Sequence, residues 1–201
     1  MKLLHWKADQ YWHEYYQSAS IKRNHLLKSS GPCKKTTRRQ DMEKTFVMVK
    51  PDGVQRGKVG RIIARLEDKG LQLIGLKLAE SPSDEKLACH YQDLVDKPFY
   101  PSLVQYMQSG GTPLVCTAWM GPQAVAVGRQ VVGATDPVQA GMGTVRGDWG
   151  LVRGANLVHA SDSAEAANRE IGLWLEECLV EENWALESLN KWTSGCPAED
   201  D

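Results

Sequence analysis

Residues 45–79 read TFVMVKPDGVQRGKVGRIIARLEDKGLQLIGLKLA, and this stretch decides the fold. Its first five residues, Thr45–Val49, are rich in β-forming side chains, and they end at the turn sequence Pro51–Gly53. Apolar residues then recur at helical spacing over Lys58–Lys69, and Leu71–Ala79 alternates in the manner of a buried strand. The stretch therefore predicts a strand, a helix and a second strand.

The rest of the chain adds shorter elements in a similar order. Residues 133–154 contain six glycines and show no helix or strand period, which predicts a long loop of functional importance. The remaining predictions are a short helix capped by Ser83, a helix over Pro101–Ser109, a strand over Leu114–Trp119, a helix from Pro122 to Val132, a strand over Asn156–Ala160, and a helix to Leu175 capped by the pattern Asp162-x-x-Glu165. This order predicts an α+β fold: a ferredoxin-like split βαβ with an antiparallel sheet covered by helices.

Charge divides the chain into three parts. Residues 1–41 carry nine Lys/Arg against three Asp/Glu, a charge of +6, whereas the whole chain has a formal net charge of −1. We expect a basic, disordered N-terminal extension over 1–41, a folded domain over 42–192 and an acidic tail over 193–201. The sequence contains no run of 18 apolar residues, so we expect no membrane span. Five cysteines without CxxC spacing argue against a disulfide framework or a zinc site.

His159 is the first candidate for chemistry. It ends a short predicted strand and comes just before a predicted helix start, where backbone N–H groups favour anions. Lys50, Arg129, Arg146 and Arg153 all adjoin predicted turns or loops, and arginine and lysine side chains bind phosphate. Taken singly, the histidine also fits a core position and each cation also fits the surface. Their common siting around one glycine-rich loop favours a phosphate site.

Several short motifs lie around His159 and earlier in the chain. Residues 156–163, NLVHASDS, are similar to the active-site signature N-x-x-H-[GA]-S-D of nucleoside diphosphate kinases. The match covers about residues 43–192 in order and spacing. Its other blocks are TFVMVKPDGV at 45–54, HY at 90–91, KPFY at 97–100, GATDP at 133–137 and GTVRGD at 143–148.

The resemblance implies an enzyme that moves the γ-phosphate of a nucleoside triphosphate, mainly ATP, to a nucleoside diphosphate by a ping-pong mechanism. His159 would be the nucleophile and would carry the phosphoryl group as a phosphohistidine. Glu170 would hydrogen-bond the other ring nitrogen and fix the tautomer, and Ser161 would support that bond.

The resemblance also implies a nucleotide site and a cofactor. Mg²⁺ would bridge the phosphates and take few or no protein ligands. Stacking on Phe99 without contacts to base edges would let the site accept every base. The implied nucleotide-binding residues are Lys50 and Asn156 at the sugar, Tyr91, Arg129, Thr135 and Arg146 at the phosphates, and Phe99 and Leu103 at the base.

Assembly, location and a second function complete the expectations. The resemblance implies a homohexamer or a homotetramer, with residues 133–147 as an assembly element. We expect a cytoplasmic protein; the alternative is an organellar one, in a mitochondrion or plastid, if residues 1–41 are a transit peptide. The alternative function is a regulatory or nucleic-acid-binding protein that uses the same fold and the basic tail. Two departures from the family pattern, Arg153 and Ala134, concern base preference and magnesium support.

Overall fold

The computed structural model describes residues 42–180. The predictions for the basic extension over 1–41 and for the acidic tail over 193–201 lie outside the described residues. The same holds for the end of the predicted domain at residue 192, so the domain limits stay predictions. No helix within the described range is long and apolar enough to cross a lipid bilayer.

Four strands form one antiparallel sheet. They are β1 (Met42–Val49), β2 (Gln72–Ala79), β3 (Leu114–Pro122) and β4 (Val158–Ala160), in the order β2-β3-β1-β4. Every neighbouring pair is antiparallel, and β1 lies between β3 and β4. This order is that of a split βαβ unit, because β1 and β2 run in the same direction with β3 inserted between them. The predicted fold class is confirmed.

Helices cover both faces of the sheet. On one face, Phe46 and Met48 pack with Leu87, Met107 and Trp174. On the other face, β1 packs through Val47 and Val49 into a second core cluster. Burial on both faces explains why the apolar run of β1 is continuous. The helices are α1 (Pro51–Gln55), α2 (Val59–Asp68), α3 (Asp84–His90), α4 (Tyr100–Met107), α5 (Ala124–Val132), α6 (Val145–Trp149) and α7 (Ala164–Leu175), with short 3₁₀ turns at Gln92–Leu94 and Ser109–Gly111.

Several predicted element limits are wrong at turns. Pro51–Gly53 begins a helical turn, α1, with its proline at a first-turn position that needs no N–H donor. Pro122 ends β3, and helix α5 begins at Ala124 after Gln123, whose φ is 50°. The cap of α7 is Ser163, whose hydroxyl accepts from the Ala166 N–H, and not Asp162. Ser163, one residue after Asp162, thus caps the helix in place of the predicted pattern.

The glycine-rich stretch 133–154 contains a helix that the sequence analysis missed. Helix α6 is only five residues long, too short to show a helical period, and Thr144 caps it by accepting from the Gly147 N–H. Arg65 of α2 anchors it: the guanidinium pairs with Asp148 and lies 4.1 Å from the ring centre of Trp149. Long-range contacts, rather than local propensity, stabilise this segment.

Strand β2 is less buried than predicted. Its residues Leu76 and Leu78 are 50% and 66% exposed, although the outer edge of β2 is met by a bridge from Leu179 to Gly75. Part of one face of β2 is therefore left uncovered by the described residues, whereas the predicted strand was buried.

Candidate active site

Strand pairing sets the direction of the His159 side chain. His159 lies opposite Met48 in the antiparallel pair β4–β1. Residues directly opposite each other in such a pair share a face of the sheet, so His159 faces the same side as Met48 and Phe46. That face is covered by α7, and Glu170 lies in the middle of α7 with its side chain buried.

His159, Glu170 and Ser161 form a connected hydrogen-bond system. The Nε2 atom of His159 is 2.9 Å from Oε1 of Glu170, and the Ser161 hydroxyl donates to Oε2 of the same carboxylate over 2.5 Å. Ser161 is itself held by the backbone, since its hydroxyl accepts from the Phe46 N–H over 3.3 Å. A carboxylate that accepts at Nε2 favours the tautomer with a proton on Nε2 and a free lone pair on Nδ1.

A second histidine, His90, packs against His159 and was not among the predicted site residues. The two imidazole rings meet edge to face with their centres 4.5 Å apart. Trp174 Nε1–H donates to His90 Nδ1 over 3.3 Å. Burial is the main cause that lowers the pKa of His90 to about 2, so this ring stays neutral. The one sequence signal for a role of His90 was its place beside Tyr91 in the motif HY at 90–91.

Tyr91 is a further aromatic residue close to His159. Its ring is perpendicular to the His159 ring at a centre distance of 6.1 Å, and its hydroxyl donates to the Met107 sulfur over 3.7 Å. Burial, with the Glu170 charge second, raises the pKa of Tyr91 well above its usual range. The phenol therefore stays protonated and can only act as a neutral hydrogen-bonding group.

Lys50, Asn156 and Thr135 form a second linked group. Lys50 Nζ donates to Asn156 Oδ1 over 2.9 Å, and Asn156 Nδ2 donates to the Thr135 carbonyl over 2.9 Å. Both Lys50 and Asn156 are buried, whereas the Thr135 residue is exposed. The chain thus fixes a lysine and an amide beside the exposed residue Thr135.

The Arg146 guanidinium joins helix α6 to two other segments, the one at Gly133 and the one over residues 156–158. It donates from Nε to the Asn156 carbonyl, from Nη1 to the Gly133 carbonyl and from Nη2 to the Val158 carbonyl, over 3.3, 2.8 and 2.7 Å. A guanidinium has about five N–H donors in a rigid fork, so N–H groups remain for an anion. Val158 precedes His159, so this arginine lies beside the candidate nucleophile.

Burial removes two of these cations, Lys50 and Arg146, from water, and neighbouring positive charges repel them. Burial, followed by the nearby Arg146 charge, lowers the pKa of Lys50 to about 8. Burial, followed by the Arg129 charge, lowers the pKa of Arg146 to about 10. Such a site favours an anion, because an anion offsets both the repulsion and the loss of hydration.

The remaining predicted residues lie at the periphery of the site. Arg129 is exposed on α5, close enough to influence Arg146. Leu103 packs against the core cluster that contains Tyr91. Phe99 is 52% exposed and, within residues 42–180, makes no ring contact with another aromatic side chain. An exposed ring is free to stack on a ligand.

Asp52 and Tyr106 were also missed by the sequence analysis. Asp52 accepts the Tyr106 hydroxyl at Oδ1 over 2.5 Å and the Leu157 N–H at Oδ2 over 3.2 Å. Tyr106 and Leu157 both lie far from Asp52 in sequence. The one sequence signal for Asp52 was its place in the motif KPDG. Its carboxylate thus touches the backbone two residues before His159.

The described residues contain one group of side chains with metal-ligand spacing, His90, His159 and Glu170. Two imidazoles and one carboxylate do not suit Mg²⁺, which prefers oxygen ligands, and both Glu170 oxygens are already engaged. The cations around the site suit the phosphates themselves. This group of side chains therefore does not fit Mg²⁺, whereas the surrounding cations fit an anion.

Comparison with known proteins gives consistent matches over this domain. The family model described as nucleoside diphosphate kinase matches residues 43–180. Nucleoside diphosphate kinase II, chloroplastic, of Arabidopsis thaliana is 53% identical over 69% of this chain. The chain spans 58% of the length of that relative.

Two further matches are covered almost completely. A nucleoside diphosphate kinase of Synechococcus sp. (strain JA-3-3Ab) is 50% identical over 71% of this chain and 93% of its own length. The structure of a halophilic nucleoside diphosphate kinase from Halobacterium salinarum, in complex with CDP, matches with a TM-score of 0.65 and 43% identity. That match covers 71% of this chain and 97% of the other.

Proposed function

Because the chain belongs to the nucleoside diphosphate kinase family, we propose that it is a nucleoside-diphosphate kinase, a phosphotransferase that moves the γ-phosphate of a nucleoside triphosphate to a nucleoside diphosphate. The Halobacterium salinarum relative was solved with CDP, which supports a nucleoside diphosphate as a ligand of this site. The comparisons favour this function over the regulatory or nucleic-acid-binding alternative.

The observation that carries the mechanism is the bond between His159 Nε2 and Glu170. Because Nε2–H keeps its proton and donates a hydrogen bond to the carboxylate, Nδ1 has the lone pair that attacks the γ-phosphorus. An N–P bond forms, the bond from phosphorus to the β,γ-bridging oxygen breaks, and the diphosphate leaves. A second diphosphate then takes the phosphoryl group by the reverse reaction. While His159 carries the phosphoryl group, Glu170 stabilises the positive charge on the imidazole ring.

The cations and the hydroxyl group would hold the phosphates in line with Nδ1. Arg146 and Arg129 would bind phosphate oxygens, and Thr135 would donate its hydroxyl. Lys50 and Asn156, which are hydrogen-bonded to each other, would contact the sugar hydroxyls. Positioning and charge stabilisation supply most of the rate enhancement in phosphoryl transfer.

At the outer end of the site, the exposed Phe99 ring would stack on the base, with Leu103 beneath it. When bound, Mg²⁺ supplies charge neutralisation to the β- and γ-phosphates. The side chains of this chain bind and orient the nucleotide around it.

The test is phosphoryl transfer in two half-reactions. The full chain is incubated with γ-labelled ATP and Mg²⁺, desalted, and then given GDP. We expect label on the wild type, its passage to GTP, and no label on His159→Asn. His25→Asn, in the N-terminal extension, serves as the control and should label normally. Absence of label on the wild type, or label on His159→Asn, would overturn the proposal.

Self-association is part of the proposal. The family resemblance implies a homohexamer or a homotetramer, and exposed apolar side chains support association: Leu76, Leu78, Val138, Met142 and Leu151 are 50–91% exposed. Such side chains are typical of subunit interfaces. Light scattering coupled to size exclusion measures the mass directly, and a monomer would contradict this part.

Location and the N-terminal extension need separate experiments. The chloroplastic relative from Arabidopsis thaliana supports the organellar alternative over the cytoplasmic one. A fluorescent fusion of residues 1–41 that enters an organelle would establish that location, and a diffuse cytosolic signal would exclude it. Salt-dependent binding of single-stranded nucleic acid that needs residues 1–41 would support a further role for the basic tail.

A further inference from the structure

The backbone at Leu157 is strained, two residues before the candidate nucleophile. Leu157 has a φ of 73°, which L-residues with a branched side chain rarely adopt. The Val158 N–H donates to the Asn156 carbonyl over 2.8 Å, so the three residues form a γ-turn of the uncommon positive-φ kind. Such strain persists only where surrounding contacts hold it.

The segment after β1 supplies those contacts from both sides. The Leu157 N–H donates to Asp52 Oδ2 over 3.2 Å, and the Lys50 N–H donates to the Leu157 carbonyl over 2.8 Å. Gly53 leaves the necessary room, since a Cβ there would lie 2.8 Å from the Leu157 carbonyl oxygen. Asp52 itself is held by the Tyr106 hydroxyl.

The turn separates two side chains that must face different partners. Before it, Asn156 meets Lys50; after it, His159 meets Glu170. A relaxed, extended Leu157 would redirect the chain on one side of the turn, because successive side chains along a strand alternate in direction. The γ-turn therefore links the nucleotide-facing amide to the nucleophile.

We propose that Asp52 is a positioning residue for phosphoryl transfer: its carboxylate holds the Leu157 γ-turn and thereby sets His159 and Asn156 in register. This inference rests on the proposed function. Asp52 acts through Leu157 and touches no reacting atom. Its loss should lower kcat more than it raises KM for the nucleotide, because in-line geometry is most demanding in the transition state.

The first experiment compares Asp52→Ala with Asp52→Asn in the full chain. We expect Asp52→Ala to lower kcat by about 10- to 100-fold, the range that a misplacement of about 1 Å produces. Asp52→Asn keeps an oxygen acceptor for the Leu157 N–H and should restore most of kcat. The matched control is Asp84→Ala, an exposed carboxylate that accepts from Gln108 outside the site. A kcat for Asp52→Ala within twofold of the wild type would overturn the inference.

The second experiment tests strain at Leu157 as the cause. Leu157→Gly and Leu157→Ala both remove the buried side chain, but only glycine adopts positive φ without strain. We expect Asp52→Ala to lower kcat less than threefold when added to Leu157→Gly, and by the full factor when added to Leu157→Ala. Equal losses in the two backgrounds would overturn the inference.

Amide hydrogen exchange gives a readout that does not depend on activity. The Leu157 N–H should exchange at least tenfold faster in Asp52→Ala than in the wild type and in Asp84→Ala. Unchanged exchange would overturn the inference even where the Leu157 variants fail to fold. Failure of the wild type to take up label from ATP would instead refute the proposed function, so the two failures are distinguishable.

Discussion

Replacing Glu170 by glutamine removes one negative charge from a side chain that is 4% exposed and bonded to His159 and Ser161. The glutamine keeps the shape and an acceptor oxygen for His159 Nε2–H. A hydrogen bond to a charged group contributes about 1.5–3 kcal/mol and a neutral one about 0.5–1.5 kcal/mol, so the loss is about 1–2 kcal/mol. At about 1.4 kcal/mol per factor of ten, phosphorylation of His159 should slow by about 5- to 30-fold.

Glu170→Ala should slow the reaction further. It leaves His159 Nε2–H without its acceptor, and the buried Ser161 hydroxyl keeps only a long contact of 3.4 Å to the Phe46 carbonyl. The loss costs about a further 1–3 kcal/mol. The assay is a rapid-quench measurement of label on His159 during one turnover with ATP, which separates phosphorylation from product release.

The control for this series is Glu165→Gln, one charge on the exposed face of the same helix. It should label at the wild-type rate. Equal rates for the wild type and Glu170→Gln would refute the argument that the carboxylate stabilises the charged ring. Equal rates for Glu170→Gln and Glu170→Ala would refute the role given to the hydrogen bond.

The other predictions concern charge, pH and stability. Burial lowers the pKa of Lys50 to about 8, so kcat/KM should fall as the pH rises through about 8 and the lysine loses its charge. Lys50→Arg should remove that fall. Identical pH profiles for the wild type and Lys50→Arg would contradict this prediction. His90 is neutral in the fold, with its pKa lowered from 6.5 to about 2, so only the unfolded chain gains a proton as the pH falls below 6.5. This difference should cost about 2 kcal/mol of the free energy of unfolding between pH 7 and pH 5, and urea unfolding of His90→Phe should show that much less acid sensitivity. Arg146→Lys cannot keep all three carbonyl contacts and should lower the free energy of unfolding by about 2 kcal/mol, whereas Arg61→Lys on the exposed face of α2 should leave it unchanged.

The strands and long helices could be predicted from sequence because their signals are local. β1 and β3 carry continuous apolar runs, and α2 has a helical period closed by Gly70. The end of α7 at Leu175 was also predicted correctly. Short length, β-forming residues and flanking turn residues identify the strands, and the helical period identifies α2.

The turns could not be predicted in the same way. Residues 156–160 read as one strand, NLVHA, yet the γ-turn at Leu157 shortens it to Val158–Ala160. The contacts that impose this turn come from Lys50 and Asp52, more than 100 residues earlier. Helix α6 likewise depends on Arg65 of α2. Tertiary contacts override local preference in both cases.

Part of the candidate site was also beyond sequence reasoning. The motif blocks identified the residues around His159, but the role of His90 depends on Trp174, which lies 84 residues further along the chain. A lone histidine in the sequence ACHYQ shows neither its burial nor its neutral state. The tautomer of His159 also became clear only from the contact between Nε2 and Glu170.

The position of the phosphoryl group on the ring tests the mechanism most directly. The wild-type chain is phosphorylated with ATP, digested in alkali, and the two isomers of phosphohistidine are separated against standards within their lifetimes. Because Glu170 occupies Nε2, we expect the isomer phosphorylated at Nδ1, at His159 alone. Phosphate on Nε2, or on any other residue, would contradict the account.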